Sequence, residues 1–211
     1  SLPKAIHALG HDIRVAMPRY GRIDPGKFGL RKALGSFPVP LDENSDHAEI
    51  YEGRIGEAVP IYFVENQRLY DREGIYMYPD DAERFIFYCR AAIEMLRQMD
   101  WQPDIIHCND WHTAIVPNWF KTLYKTDPFF THTATVYTIH NLAYQGIFGH
   151  RVLEIAGVDE FGFLAHPDTS DLNQVVDLMA RGILFADVIS TVSETYAQEI
   201  LTPEFGERLD P

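Results

Sequence analysis

Short β-branched runs alternate along this chain with stretches of helical spacing, and that alternation predicts an α/β fold organised as a doubly wound, mostly parallel, Rossmann-like sheet. Three observations carry the prediction. Ile105 and Ile106 form a short apolar run after Pro103, and the polar series His107 to Thr113 follows at once, interrupted only by Cys108 and Trp111. Ala134 to Ile139 is again strand-like and discharges into His140, Asn141, Leu142, Ala143, Tyr144, Gln145 and Gly146. Ahead of the first run, apolar residues from Phe85 to Met99 recur at three- and four-residue steps. Ligands of open α/β sheets sit at the carboxyl ends of the strands, so two strands ending in imidazole, carboxylate, amide and aromatic groups predict one shared pocket.

In chain order, Leu2 to Leu9 reads as the end of a helix closed by Gly10, and Asp12 to Met17 alternates into a strand that stops at Pro18. Arg19 to Ser45, rich in Gly, Pro and charge, reads as an excursion. Ala48 to Tyr51 and Val59 to Val64 predict two further strands. Asp80 with Glu83 has capping-box spacing, and Phe85, Tyr88, Ala92, Met95, Leu96 and Met99 mark an amphipathic helix that leads into the strand at Ile105. A helix over His112 to Tyr124 follows, with Pro117 in its early turns. After the strand Ala134 to Ile139 come a helix around Val152 to Ala156 and a longer one from Leu172 to Phe185. Asp187 to Val192 is the last strand, and Ser193 is placed to cap a helix over Glu194 to Ile200.

With 211 residues, 46% of them apolar, the chain has the means to close a packed core. Its 18 basic and 31 acidic side chains give a formal charge of -13, which argues against nucleic-acid or anionic-membrane partners because both call for a basic face. The two cysteines, Cys89 and Cys108, are too few for a disulfide framework and point to a reducing, cytoplasmic setting. No run of 18 apolar residues and no basic-then-apolar leader occurs, so neither a spanning helix nor a signal peptide is expected.

Each candidate residue also has a structural role to weigh. His107, Cys108, Asp110 and His112 include zinc-ligand types, but their spacing matches neither HExxH nor CxxC, and adjacent His107 and Cys108 point to opposite faces of a strand. Asp110 also suits the N-cap of the helix that follows, a role compatible with reaching a ligand. Trp111, Tyr144, Tyr76 and Tyr78 are candidate sugar-stacking platforms as well as candidate core aromatics. His7, His11, His47 and His132 carry no other chemical signal and are read as surface or core residues, and Cys89 as core.

The segments HCNDWHTAIVP, TVYTIHNLAYQGIF and ADVISTVSETYAQEI resemble three consecutive signatures of the N-terminal catalytic domain of bacterial glycogen synthases and plant starch synthases. LPKAIHALGHDIRVAMPRYG and YPDDAERFIFYCRAAIE resemble the same family, so the likeness runs along nearly the whole chain. It implies a GT-B glycosyltransferase, two Rossmann-like domains facing across a cleft. Such an enzyme moves glucose from ADP-glucose or UDP-glucose to the non-reducing 4-hydroxyl of an α-1,4-glucan with retention of configuration. Residues 1–211 are then expected to be part of the N-terminal domain. On that expectation they begin after the first strand with its Lys-x-Gly-Gly phosphate loop and end before the C-terminal nucleotide-binding domain. The implied compartment is the cytoplasm, or the plastid stroma in a plant or alga.

The resemblance also implies the site. Asp110 lies by the transferred glucose and the acceptor, and His140 hydrogen-bonds the sugar and presents its backbone carbonyl near the reacting carbon. Asn141 helps hold the donor, Trp111 and His112 line the acceptor side, and one of Tyr76 and Tyr78 occupies the family's acceptor-side position. Departure of a nucleoside diphosphate leaves positive charge at the anomeric carbon, which a carboxylate tolerates; a neutral His140 is the useful form, since an imidazolium opposes that charge. No metal or other cofactor is expected if Arg and Lys residues of the second domain neutralise the diphosphate. Asp177 and Ala180 stand where the family often has Asn and Lys, so no substrate contact is carried over from that helix. Two other classes remain open on residue types: a metal-dependent hydrolase using His107, Asp110 and His112, which predicts stoichiometric zinc or manganese, and a glucan-binding module without catalysis.

Overall fold

The computed structural model describes residues 1–41, 44–158 and 175–210, which fall into two compact units, Ser1–Met99 and Asp100–Pro211. The class is the α/β one that the sequence predicts, and its parallel strand pairs lie in both units.

In the first unit, helix α1 (Leu2–Ala8) gives way through Gly10 to β1 (Val15–Pro18). The expected excursion is not irregular throughout: β2 (Arg31–Leu41) and β3 (Asn44–Ile55) pair antiparallel within and beyond it, and β4 (Val59–Glu65) follows. The sheet order is β1-β4-β3-β2, with β4 parallel to β1 and antiparallel to β3. A strand with neighbours on both sides and cover on both faces needs apolar residues nearly throughout, and β4 reads VPIYFVE. By contrast β2 is an edge strand, which is why it tolerates Gly35, Pro38 and Pro40 and two register irregularities.

Next come α2 (Gln67–Tyr70), capped by the Asn66 side chain, and α3 (Asp81–Gln98). The α3 helix buries Phe85, Ile86, Phe87, Cys89, Ala91, Ile93, Met95 and Leu96 and packs on β1, β2 and β4. The capping box is not formed. Asp80 occupies the N-cap without a side-chain cap bond; its carboxylate is taken by Arg72, and that of Glu83 by Arg68.

In the second unit, β5 (Ile105–Asn109), β6 (Ala134–Ile139) and β9 (Val188–Thr191) form an all-parallel sheet in the order β5-β6-β9. Its β5 runs three residues past the expected Ile106, because the ladder to β6 continues to the pairing of Asn109 with Thr138. The single helix expected over His112 to Tyr124 is two, α4 (Asp110–Thr113) and α5 (Ile115–Lys121). Pro117 explains the break, since it has no N–H for the carbonyl of Thr113 four residues earlier and its ring crowds that carbonyl.

A 3-10 turn (Pro128–Phe130) precedes β6; β7 (Ile147–Gly149) and α6 (Arg151–Ala156) follow it. The helix expected from Leu172 begins only at Leu178: β8 (Val175–Asp177) pairs antiparallel with β7, and α7 spans Leu178–Phe185. Residues 172–174 of that expectation lie outside the described residues. Helix α8 (Glu194–Glu199) closes the unit, with the Ser193 hydroxyl accepting from the Tyr196 amide as expected of an N-cap.

The core of this unit centres on Trp119, fully buried in α5, whose indole N–H donates to the Ala156 carbonyl at 2.8 Å. Helix α7 crosses β6 so closely that a Cβ on Gly182 would meet the Tyr137 ring at 2.7 to 2.9 Å. Among the described residues, no helix is long and apolar enough to cross a membrane.

Candidate active site

Parallel strands send all their carboxyl ends to one edge, so the residues that follow β5 and β6 emerge side by side. Asp110 follows β5 directly, and His140 follows β6. The two meet: Asp110 Oδ1 accepts the His140 backbone N–H at 2.8 Å, and Oδ2 lies 3.0 Å from His140 Nδ1. An ionised carboxylate only accepts, so Nδ1 carries the proton in this contact and a neutral ring leaves Nε2 as an acceptor. Both side chains keep access to solvent, with 29% of Asp110 and 45% of His140 exposed. Asp110 does not cap α4 as expected; Asn109 is the N-cap residue and makes no side-chain cap bond. Asp110 instead holds a left-handed backbone, φ +54, between the extended Asn109 and the helical turn.

The surroundings fix this edge. Trp111 is 9% exposed, stacked on His112 at 4.0 Å between ring centres and tilted against Phe148 at 5.3 Å. Gly146, at φ +68, lies on the indole so closely that any Cβ would sit 2.7 to 2.8 Å from it. Trp111 is thus packed into the unit and offers little surface to a ligand, whereas the half-buried His112 rides on it. The stretch after His140 is tied down by several bonds. Asn141 Oδ1 accepts the Ala143 amide, the Leu142 amide donates to the Tyr196 hydroxyl, and the carbonyls of Gln145 and Gly146 accept the first amides of α7. Asn141 and Tyr144 are exposed, Tyr144 by 67%.

Beneath the edge, His107 Nε2 contacts the Thr138 hydroxyl at 2.5 Å, and Thr138 contacts Ser190 at 2.6 Å, a polar line across all three parallel strands. Burial first, and then the nearby His140, hold the His107 imidazole below the usual histidine range. On the other face Cys108 is buried, and burial pushes its thiol up to about 12, so it is no nucleophile. Burial, and after it the Asp110 carboxylate, also keep the buried Tyr137 hydroxyl protonated well above its ordinary range.

Tyr76 and Tyr78 belong to the first unit, where they differ. Arg84, fully buried, donates to the carbonyls of Leu69 and Ile75 and to Asp81 Oδ1, while Asp81 Oδ2 accepts the amides of Met77 and Tyr78. Tyr78 is built into this clasp: its hydroxyl accepts the Gly74 amide, and the guanidinium groups of Arg72 and Arg84 each lie 4.9 Å from its ring centre. Tyr76 stands out from the clasp, 53% exposed.

Asp177 sits at the N-cap of α7, its Oδ1 accepting the Ala180 amide at 3.0 Å, which gives the departure at positions 177 and 180 a structural role. Among the described residues, no group of three His, Cys, Asp or Glu side chains could hold a metal ion, and His107 is turned to Thr138, so the ligand set His107, Asp110 and His112 is not assembled. Sequence reading passed over Thr113, Gly146 and Arg84. Of these only Gly146 left a signal, a glycine closing a polar run; the partners of the others, Asn109 for Thr113 and Leu69, Ile75 and Asp81 for Arg84, are brought to them by the fold.

The chain matches the family model described as the starch synthase catalytic domain over residues 1–211. It is 45% identical over 212 residues to the glycogen synthase of Moorella thermoacetica, covering 100% of this chain and 42% of that protein. To the glycogen synthase of Desulforudis audaxviator it is 44% identical over 223 residues, covering 100% and 43%. The fold is similar to the catalytic domain of starch synthase IV from Arabidopsis thaliana bound to ADP and acarbose. The TM-score is 0.86 and the identity 32%, over 98% of this chain and 43% of that one. The chain thus spans less than half the length of these relatives. With a family model matched from its first residue to its last, the chain belongs to the starch synthase catalytic domain family.

Proposed function

We propose that this chain carries the sugar-side groups of a retaining glucosyltransferase that transfers glucose from a nucleotide sugar to the non-reducing end of an α-1,4-glucan, in glycogen or starch synthesis. The observation that carries the reading is the Asp110–His140 pair at two adjacent parallel strand ends, in a chain that matches the family along its whole length. The Arabidopsis relative was solved with ADP and acarbose, which favours ADP-glucose over UDP-glucose as the donor. Residues 1–211 act as part of an N-terminal catalytic domain. The phosphate loop and the second, nucleotide-binding domain come from the rest of the protein. The setting is the cytoplasm, or the plastid stroma in a plant or alga.

The geometry suits that chemistry. As the diphosphate leaves, positive charge grows on the anomeric carbon, and the Asp110 carboxylate supplies a fixed opposite charge at the strand ends. By accepting Nδ1–H from His140, Asp110 sets the tautomer, so Nε2 accepts a hydroxyl proton of the sugar. Asn141 and the half-buried His112 flank this pair as donor and acceptor contacts, and exposed Tyr144 offers a ring face to glucan, with Trp111 supporting His112 from below. In the first unit, exposed Tyr76 has a ring of the kind that stacks on sugar. Tyr78 shapes the turn that carries Tyr76. No metal takes part, the diphosphate being neutralised by basic side chains outside this chain.

The test is glucose incorporation from labelled ADP-glucose into glycogen by the full-length protein, with UDP-glucose in parallel and the new linkage read by NMR. The reading expects new α-1,4 linkages, more from ADP-glucose. Retention on immobilised glucan with no donor turnover would leave only a binding module. Hydrolysis that a chelator abolishes and zinc restores would replace the transferase reading altogether.

A further inference from the structure

We propose that Thr113 is a positioning residue for this reaction, holding the left-handed turn through which Asp110 reaches His140. The inference rests on the site assignment above and adds to it a residue that touches no substrate.

Asp110 is one of the few non-glycine residues of the described chain at positive φ, +54. Such a backbone brings Cβ against the following carbonyl oxygen, so it persists only where the surroundings enforce it. The chain enters the turn extended, with Asn109 at φ −131 and ψ 124, and leaves it directly as helix α4. One side chain spans the bend. Thr113 Oγ1 accepts the Asn109 N–H at 2.6 Å and donates to the Asn109 carbonyl at 2.8 Å.

A helical threonine commonly donates to the carbonyl four residues back and stops there. Here the same hydroxyl also takes the amide of that residue. A hydroxyl has one proton and two lone pairs, and here the proton and one lone pair are both spent on Asn109, the residue that precedes Asp110. Thr113 therefore ties the last residue of α4 to the last residue of β5. With both ends held, the peptide between them turns the left-handed way. That way aims the Asp110 carboxylate across to the His140 amide and Nδ1. Without the clamp, Asp110 can relax to negative φ, which swings its carboxylate off the neighbouring strand end.

The experiment compares turnover by the full-length protein, with ADP-glucose and glycogen, for Thr113→Val, Thr113→Ser, Asp110→Ala and the double variant Asp110→Ala/Thr113→Val. Misplacement of a catalytic group by about an ångström costs on the order of tenfold to a hundredfold. We expect Thr113→Val, which keeps the shape and removes the hydroxyl, to lower kcat by about tenfold with both KM values within about twofold. Thr113→Ser should recover most of that loss. In the Asp110→Ala background the valine should cost nothing further, because the group it positions is gone. A threonine that merely stabilises the fold predicts the same loss in both backgrounds, and that result would overturn the inference, as would Thr113→Val with wild-type kcat. Should the valine variant fail to fold, Thr113→Ala against Thr113→Ser gives the same comparison. Normal turnover by Asp110→Ala would remove the site assignment itself, and this inference with it.

Discussion

Asp81 in the first unit and Asp110 in the second each divide two carboxylate oxygens between backbone amide and nitrogen-bearing side chain. Asp81 takes the amides of Met77 and Tyr78 and the guanidinium of Arg84; Asp110 takes the amide of His140 and its imidazole. The difference is access. The Asp81–Arg84 side chains are 7% and 0% exposed, those of Asp110 and His140 29% and 45%. A guanidinium has only donors to offer, while a neutral imidazole that gives one N–H keeps a second nitrogen able to accept. The first pair is thus a buried clasp with every partner inside the protein. The second is half open to solvent, and its carboxylate stands on a left-handed backbone at Asp110. Bonding pattern alone does not distinguish scaffold from site; burial, titratable partner and local strain do.

The largest effect is expected from breaking the buried clasp. Arg84→Met leaves Asp81 and the carbonyls of Leu69 and Ile75 without their guanidinium partner. Removing one member of a buried ion pair costs about 3–5 kcal/mol, read as the shift in urea-unfolding midpoint. An unchanged midpoint would mean that the clasp holds nothing.

A smaller loss is expected at the open pair's foundation. Gly146→Ala places a Cβ against the Trp111 ring on a backbone at φ +68, which costs about 1–3 kcal/mol of stability. Because Trp111 directly follows Asp110, kcat should fall with it. Stability lost with kcat intact would separate the indole from the site.

The smallest effect sharpens the contrast through pH. The hydrogen bond from Arg72 holds the Asp80 carboxyl below its ordinary range. A carboxyl lowered in the folded state contributes stability above its unfolded pKa, near about 4, and loses it as pH falls through the folded value. Asp80→Asn should therefore reduce the loss of stability below about pH 4 and do little at pH 7 beyond the pair's own worth. That worth is under about 1 kcal/mol for so exposed a pair. An unchanged acid limb of the stability profile would contradict this.

The strand ends were legible because each apolar run stops abruptly in polar residues, and a parallel sheet puts such ends together; the polar runs that hold Asp110 and His140 follow from that, while the choice of those two residues within them came from the family resemblance. Strand β2 was not, since Gly35, Pro38 and Pro40 are breakers anywhere but on an edge, and edge position is a property of the finished sheet. The break at Ala114 was hidden because apolar spacing continues across it, Trp111, Ile115, Val116 and Trp119 all being buried. Strand β8 has three residues and exists through its partner β7, a pairing no local pattern records. Thr113 acts on the backbone of Asn109, Arg84 on the carbonyls of Leu69 and Ile75 as well as on Asp81, and the left-handed turn at Asp110 that gives Thr113 its meaning is not a property of the letters D-W-H-T.

The central claim is that the exposed Asp110–His140 pair, and not merely the fold around it, carries transfer. The direct measurement is kcat for glucose transfer to glycogen by full-length Asp110→Ala and His140→Ala proteins, beside their unfolding midpoints. Loss of a polar group aimed at the transition state costs on the order of a hundredfold or more, so each variant should lose at least about that factor. Both side chains keep access to solvent, so the midpoints should show both variants still folded, with the larger shift at Asp110, whose backbone is left-handed. Turnover within a few-fold of wild type in either folded variant would contradict the account.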